Sequence, residues 1–330
     1  DDTPRIDYTD GGCPVLLTEP QSTNLIIQSN DFSSWNQIQN VDLTPNSTTS
    51  PSGENDATKF LSTTGSSKIR ESVSIVSGTT YTFSLYIKNI DATSIRLLAY
   101  DGVNEFNEFV QSQVNTSTWS RVSFTFTALN TTISGQIQIG RDLPDGESMY
   151  IYGAQLEELS YSTSLIPTYG AVRTRLQDSV IGAGASSDFN SEEGVLFAEI
   201  SGLSNAGSRY ISMGDGSSSN LVAIAFFNGG AIRSRIGING VTTYLLGSVV
   251  EQTDTFKIAI KYKLNDYALW INGVEVATNN SLGSLAPNTI SSLNLARILG
   301  AVDPFFGRTS QVQVFKTALT DAELLTLTTI

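Results

Sequence analysis

The chain has 330 residues, 19 basic and 32 acidic, for a net charge of −13, with 40% hydrophobic residues and no histidine. That balance excludes a nucleic-acid partner, which is held by an excess of Lys and Arg. No apolar run approaches the ~20 residues that span a bilayer, so membrane insertion is not expected. The missing histidine removes Ser-His-Asp and Cys-His catalysis and the usual zinc sites. Only 15% of residues are charged, so hydroxyl and amide side chains must supply the polar surface, as in β-sandwiches. At about 150 residues per domain, the length predicts two domains.

Residues 1–22, with "DYTDGGCPVLLTEPQ", read as a connector to an upstream region, and a start at Asp1 predicts a processed product or a fragment. Val15, Leu16 and Leu17 need burial, which predicts that the segment packs along the first sandwich. Cys13 is the single cysteine. With no disulfide partner in the chain, it is expected as a small buried hydrophobe.

Residues 23–160 form the first domain. In "TYTFSLYIK", Tyr81, Phe83, Leu85 and Ile87 alternate with polar residues. "WSRVSFTFT" and "ISGQIQIG" repeat the pattern, and "SMYIYGAQLEE" follows as a further strand. Short strands at spacings of about 8–12 residues predict a sandwich rather than a βαβ fold. Between 161 and 192 the pattern dissolves into small and polar residues, as in a linker.

Alternation returns over 193–330 with "GVLFAEIS", "LVAIAFF", "IRSRIGI", "TFKIAIKYK" and "YALWING". Asn272-Gly273 between "YALWI" and "VEVA" predicts a two-residue hairpin, since both turn positions want positive φ. "TALTDAELLTL" places Thr320 and Glu323 in a capping box, the one helix expected. The fold class is all-β, two tandem antiparallel β-sandwiches with one short C-terminal helix.

No catalytic site is expected. A glycosidase needs two carboxylates on one face, and a strand with acids at period 2 is absent. Glu105 and Glu108 point to opposite faces of a strand. Glu157-Glu158 and Glu192-Glu193 read as solvated acids.

"TNLIIQSNDFSSW", "TYTFSLYIKN", "STWSRVSFTFTA" and "YIYGAQLEE" together resemble jelly-roll carbohydrate-binding modules over about residues 23–160. "YALWINGVEVA" and "GRTSQVQVFKTALTDAEL" resemble the laminin-G/concanavalin-A-like lectin fold over roughly 193–330. With the lead-in "PRIDYTDGGCPVLLTEPQSTNL", the whole resembles bacteriophage tail-fibre, head-fibre and spike-type adsorption proteins. The resemblance implies a non-enzymatic virion surface protein, extracellular to the host, that binds host-surface polysaccharide. Its partners would be that polysaccharide and other virion proteins. Phage fibres are often trimers, although no coiled-coil seam is present. Two other readings stay open: a structural virion decoration protein, and an accessory region of a secreted polysaccharide-degrading enzyme.

Sugar recognition needs an aromatic face and flanking amides or carboxylates. In the first domain Tyr86, Arg96, Tyr100, Gln111, Gln113, Gln136 and Gln138 offer these, forming one platform if their strands share a sheet. Trp35, Trp119 and Trp270 are expected in the cores. The resembling modules often hold a structural calcium, but here Ser33 and Gly153 stand near the positions of its acids. In the second domain Asp215 and Asp303 lie on loops as candidate oxygen ligands for calcium.

Overall fold

A computed structural model describes residues 4–8, 13–204 and 207–330. The chain divides into two compact units, Gln21–Leu176 and Asp1–Pro20 together with Gln177–Ile330. Both are antiparallel sandwiches, termed here the first and second sandwich.

The first sandwich is built from two five-stranded sheets. Sheet I has the order Glu105–Phe109, Arg96–Tyr100, Thr132–Ile139, Lys68–Ile75, Gln37–Gln39; sheet II runs Ser120–Thr127, Thr80–Asn89, Ser148–Glu157, Ala57–Ser62, Val41–Thr48. The alternating residues Tyr81, Phe83, Leu85 and Ile87 all face the core between the sheets and have no accessible surface. Opposite them, Ile69, Val73, Leu97, Ala99, Ile137 and Ile139 line the inner face of sheet I. Trp35 is buried here as expected, with its indole N–H donating to Gln28 O at 2.9 Å. Trp119 is only half-buried and donates to Thr49 O at 3.0 Å.

The second sandwich has a seven-stranded sheet III and a five-stranded sheet IV. Sheet III runs Arg5–Asp7, Val15–Thr18, Gly307–Phe315, Glu193–Gly202, Phe256–Lys263, Tyr267–Ile271, Val274–Asn279; sheet IV runs Val241–Val249, Ala231–Ile238, Leu221–Phe227, Arg209–Gly214, Ser292–Asn294. Glu193–Gly202 and Tyr267–Ile271 of sheet III carry apolar residues on both alternating faces, which requires cover on both sides. Leu196, Ala198, Ile258, Ile260 and Leu269 face sheet IV. Val195, Phe197, Ala259, Ala268 and Trp270 face the other way and pack with Leu324 of the helix Asp321–Thr328. The helix begins at the Thr320–Glu323 capping box, and the Asn272-Gly273 hairpin takes φ 50° and 78°, both as read from the sequence.

Several expectations are corrected. The lead-in packs on the second sandwich, not the first: Leu16, Leu17 and Thr18 pair with Thr309, Arg308 and Gly307 at the edge of sheet III. There Thr18 donates to Phe305 O at 2.7 Å, and Arg308 pairs with Asp7 at 2.6 Å. The open edge supplies backbone partners as well as apolar cover, which local sequence could not reveal. The first sandwich is therefore inserted between the lead-in and the rest of the second. Cys13 is exposed, because it precedes the edge strand instead of lying within a packed face.

The stretch 161–192 is divided between the units. Arg173–Arg175 pairs with Ser22–Asn24, and Asp178 N donates to Glu19 O at 2.9 Å. Glu157 is also corrected, being fully buried rather than solvated. It accepts from Ser22 Oγ at 2.6 Å, from Thr163 N at 3.0 Å and from the Thr163 hydroxyl.

Candidate glycan-binding faces

Alternation places two kinds of residue on the outer face of sheet I. Rows across the strands follow from the register. Asn107, Leu98, Gln138, Arg70 and Gln37 form one row, and Glu105, Tyr100, Gln136 and Ser72 form the next. Four of the seven predicted residues, Arg96, Tyr100, Gln136 and Gln138, thus meet on one surface. The other three do not. Tyr86 is on Thr80–Asn89 of sheet II, where it lies 6.2 Å from Tyr152 and 5.2 Å from the Arg121 guanidinium. Gln111 and Gln113 leave the strand in a short 3-10 turn after Phe109. Period-2 alternation assigns a side of a strand but not which sheet the strand joins, and the pairing is non-local.

The centre of this face is sunken. Leu98 has no accessible surface and Gln138 only 4%, although both point away from the core. Gln136 Oε1 accepts from Gln138 Nε2 at 3.0 Å and from Arg70 Nη1 at 3.1 Å. Gln138 Oε1 and Arg70 Nε, on directly opposed residues, are buried without a hydrogen-bond partner. Leaving such groups unmatched costs about 1–3 kcal/mol each. Around them Tyr100 is half-exposed, its hydroxyl donating to Gly102 O at 2.6 Å. Phe109 is exposed, with the Arg96 guanidinium 5.8 Å from its ring centre. Arg96 also faces Asp142 and Glu105 at 3.4 and 3.9 Å. Sequence reasoning missed Arg70, Gln37, Asn107 and Phe109. Their signal was the same alternation, in strands not then matched to the amides.

A separate cleft of about 290 Å³ in this sandwich is lined by Gln21, Ser22, Thr23, Leu25, Glu158 and Leu159. It holds no aromatic ring, so it lacks the stacking surface a pyranose uses.

In the second sandwich, Asp215 and Asp303 each close their own loop. Asp215 accepts from Ser217 N and Asn220 Nδ2, both at 2.8 Å. Burial raises its pKa, but these bonds outweigh that effect and hold the carboxyl below its ordinary value. Asp303, at φ 49°, accepts from Arg297 Nε at 2.7 Å. Among the described residues no three His, Cys, Asp or Glu side chains are grouped to hold a metal ion. Gly153, near the position of the expected calcium acid, has φ 67°, and a Cβ there would meet Leu165 at 2.8 Å. No helix among the described residues is long and apolar enough to cross a membrane.

No family model and no curated protein matches the sequence. Among solved structures, the chain is similar to the CBM40 of the Ruminococcus gnavus IT-sialidase, at 18% identity and a TM-score of 0.39, over 46% of this chain and 95% of that one. It is similar to mouse laminin α1 chain domains LG4-5 at 9% identity and a TM-score of 0.31, over 97% and 96% of the two chains. The CBM22-1-CBM22-2 tandem of Paenibacillus barcinonensis Xyn10C matches at 10% identity and a TM-score of 0.31, over 89% and 98%.

Proposed function

We propose that this chain is a non-enzymatic adhesion protein of a phage virion surface that binds host-surface polysaccharide through the outer face of sheet I. The observation that carries the reading is the buried, unmatched pair of Gln138 Oε1 and Arg70 Nε on opposed residues. One is an acceptor and the other a donor. A sugar hydroxyl both donates and accepts, so sugar hydroxyls offer a partner of each kind. The half-exposed ring of Tyr100 and the exposed ring of Phe109 offer faces for the apolar side of a pyranose.

The placement of the acids supports the non-enzymatic part of the reading. Glu105 is the one carboxylate at an outward strand position of sheet I, and Arg141 and Arg96 engage it at 2.5 and 3.9 Å. Glu71 lies on the core side, where burial raises its pKa and a bond from Asn36 N opposes the rise. A hydrolytic pair of opposed carboxylates has no place on such a face. The virion setting and a trimeric assembly rest on the resemblance of the lead-in and sandwich motifs to adsorption proteins.

The test is binding of the full chain to host cells and to their extracted polysaccharide. Wild type is expected to bind and to compete with virion adsorption. Arg70→Ala and Gln138→Leu are expected to weaken binding about tenfold each, the equivalent of one lost hydrogen bond to a buried polar group. Wild type that binds neither cells nor polysaccharide would sink the reading.

A further inference from the structure

The outer face of sheet IV carries chemistry that the first sandwich does not need. In a chain of 32 acids and 19 basic residues, the five strands of sheet IV contain no Asp or Glu, yet hold Arg209, Arg233 and Arg235. Arg233 and Arg235 sit two apart on one strand and so share its outer side. The register sets them beside Ala225 and Ala223 on one flank and Leu246 and Tyr244 on the other.

Among the described residues neither arginine side chain has an acidic partner. The Arg233 side chain makes no ion pair or hydrogen bond there; its guanidinium lies 3.5 Å from the Phe227 ring centre and 5.7 Å from that of Tyr244. Stacking fixes the direction of the charge while leaving its donors unused. Arg235 is 8% exposed. Its Nη2 reaches Thr242 Oγ1 at 3.1 Å and Ser218 O at 3.4 Å, and its Nη1 is buried with no partner. Burying a cation is costly unless something pairs with it.

The surroundings are a buried apolar floor and an exposed rim. Ala223, Ala225 and Leu221 form a closed floor with Tyr210 and Ile298 beside it. Tyr244 is 41% exposed and Leu246 60%, giving the rim an open ring and an apolar neighbour. Burial raises the pKa of the Tyr210 hydroxyl, with smaller contributions in the same direction from Tyr244 and Asp303. Arg297 and Asp303 already pair with each other at 2.7 Å and leave the other two arginines alone.

We infer that the outer face of sheet IV is a second binding site, for an anionic saccharide whose acid group pairs with Arg233 and Arg235 while a sugar ring lies against Tyr244. A planar carboxylate matches a guanidinium fork in two parallel hydrogen bonds, and a sulfate ester offers oxygens at similar spacing. This site is independent of the face of sheet I and brings a charged ligand to a protein whose net charge would otherwise repel it.

The experiment is affinity electrophoresis of the full chain in gels containing polygalacturonate, dextran sulfate or neutral dextran. Polygalacturonate is expected to retard wild type. Arg233→Gln, at a half-exposed and unpaired position, is expected to weaken that retardation about tenfold. Tyr244→Ala is expected to weaken it by a smaller factor. Lys59→Gln, which removes one positive charge from the first sandwich, leaves it unchanged. Retardation by dextran sulfate alone, lost in Arg233→Gln, supports the same site with a sulfated sugar as its ligand. If neither charged polymer retards wild type, or Arg233→Gln migrates as wild type does, the proposal is overturned. Retardation in neutral dextran as strong as in polygalacturonate would also overturn it, since the acid group would then contribute nothing.

Discussion

The two sandwiches share an architecture but treat their outer faces in opposite ways. Sheet I carries amides, Arg70 and Tyr100 outward, with Leu98 and Phe109 as the apolar residues among them. Sheet III carries Val195, Phe197, Ala268 and Trp270 outward, and the terminal helix covers them. A strand that is apolar on both alternating faces needs cover on both sides; a strand polar on one face leaves that face free to meet a ligand. Cover is thus legible from composition alone, whereas a binding face needs the register. Sheet IV is an intermediate case, with an alanine floor and two stacked or buried arginines in place of either amides or a helix.

The comparison is most easily broken where cover is heaviest. Trp270→Ala is expected to destabilise the second sandwich by about 3–5 kcal/mol, the usual cost of emptying a large aromatic site. Each unit has its own core, so calorimetry should resolve two transitions with only one displaced. A matching fall in both would mean that the sandwiches unfold as one.

A smaller effect tests the first sandwich. Asp101 has no accessible surface and accepts backbone N–H bonds from Val103, Asn104, Leu129 and Asn130 at 2.7–3.1 Å. Burial alone would raise its pKa, but these bonds and the Asn104 side chain hold it down to about 2. A folded pKa below the unfolded value of about 3.9 gives stability that is present above pH 4 and lost as pH falls toward 2. Asp101→Asn is expected to cost about 2 kcal/mol at neutral pH and to flatten this acid limb in urea titrations of the first sandwich. An unchanged limb would remove Asp101 from the account.

Much of the fold was legible because alternation is local. Tyr81 to Ile87, the Asn272-Gly273 hairpin and the Thr320–Glu323 cap each depend on neighbours within a few residues. The partner of the lead-in was not legible. Val15 to Leu17 announced a need for burial, but the edge they meet lies nearly 300 residues away. The amide platform was legible in part, since Arg96, Tyr100, Gln136 and Gln138 share a surface while Tyr86 joined the opposite sheet. In "IRSRIGI" the arginines at period 2 were visible as a strand pattern. Their lack of acidic neighbours emerged only once sheet IV was assembled.

Leu16→Ala sharpens the assignment of the lead-in. Its partly buried side chain packs against the second core, so a loss of about 1–2 kcal/mol is expected there and none in the first sandwich. A displaced first transition would return the lead-in to the first sandwich, where the sequence alone places it.

The smallest expected effect concerns the helix that closes sheet III. Eight residues are too few to hold a helix in water, so packing of Leu324 and the cap must supply what propensity does not. Thr320 Oγ1 accepts from Glu323 N at 3.4 Å, and the Glu323 carboxylate accepts from Thr320 N at 2.8 Å and from its hydroxyl at 2.7 Å. The bonds from Thr320 hold the Glu323 carboxyl below its ordinary value, so the cap is intact above the usual glutamate range and weakens as pH falls through it. Thr320→Ala is expected to cost about 1 kcal/mol, or roughly 2–4 °C in the second transition. The same substitution should also leave Trp270 buried at 25 °C, with its fluorescence maximum unmoved. A red-shifted Trp270 would mean that the cap, rather than the apolar cluster beneath it, keeps the helix in place.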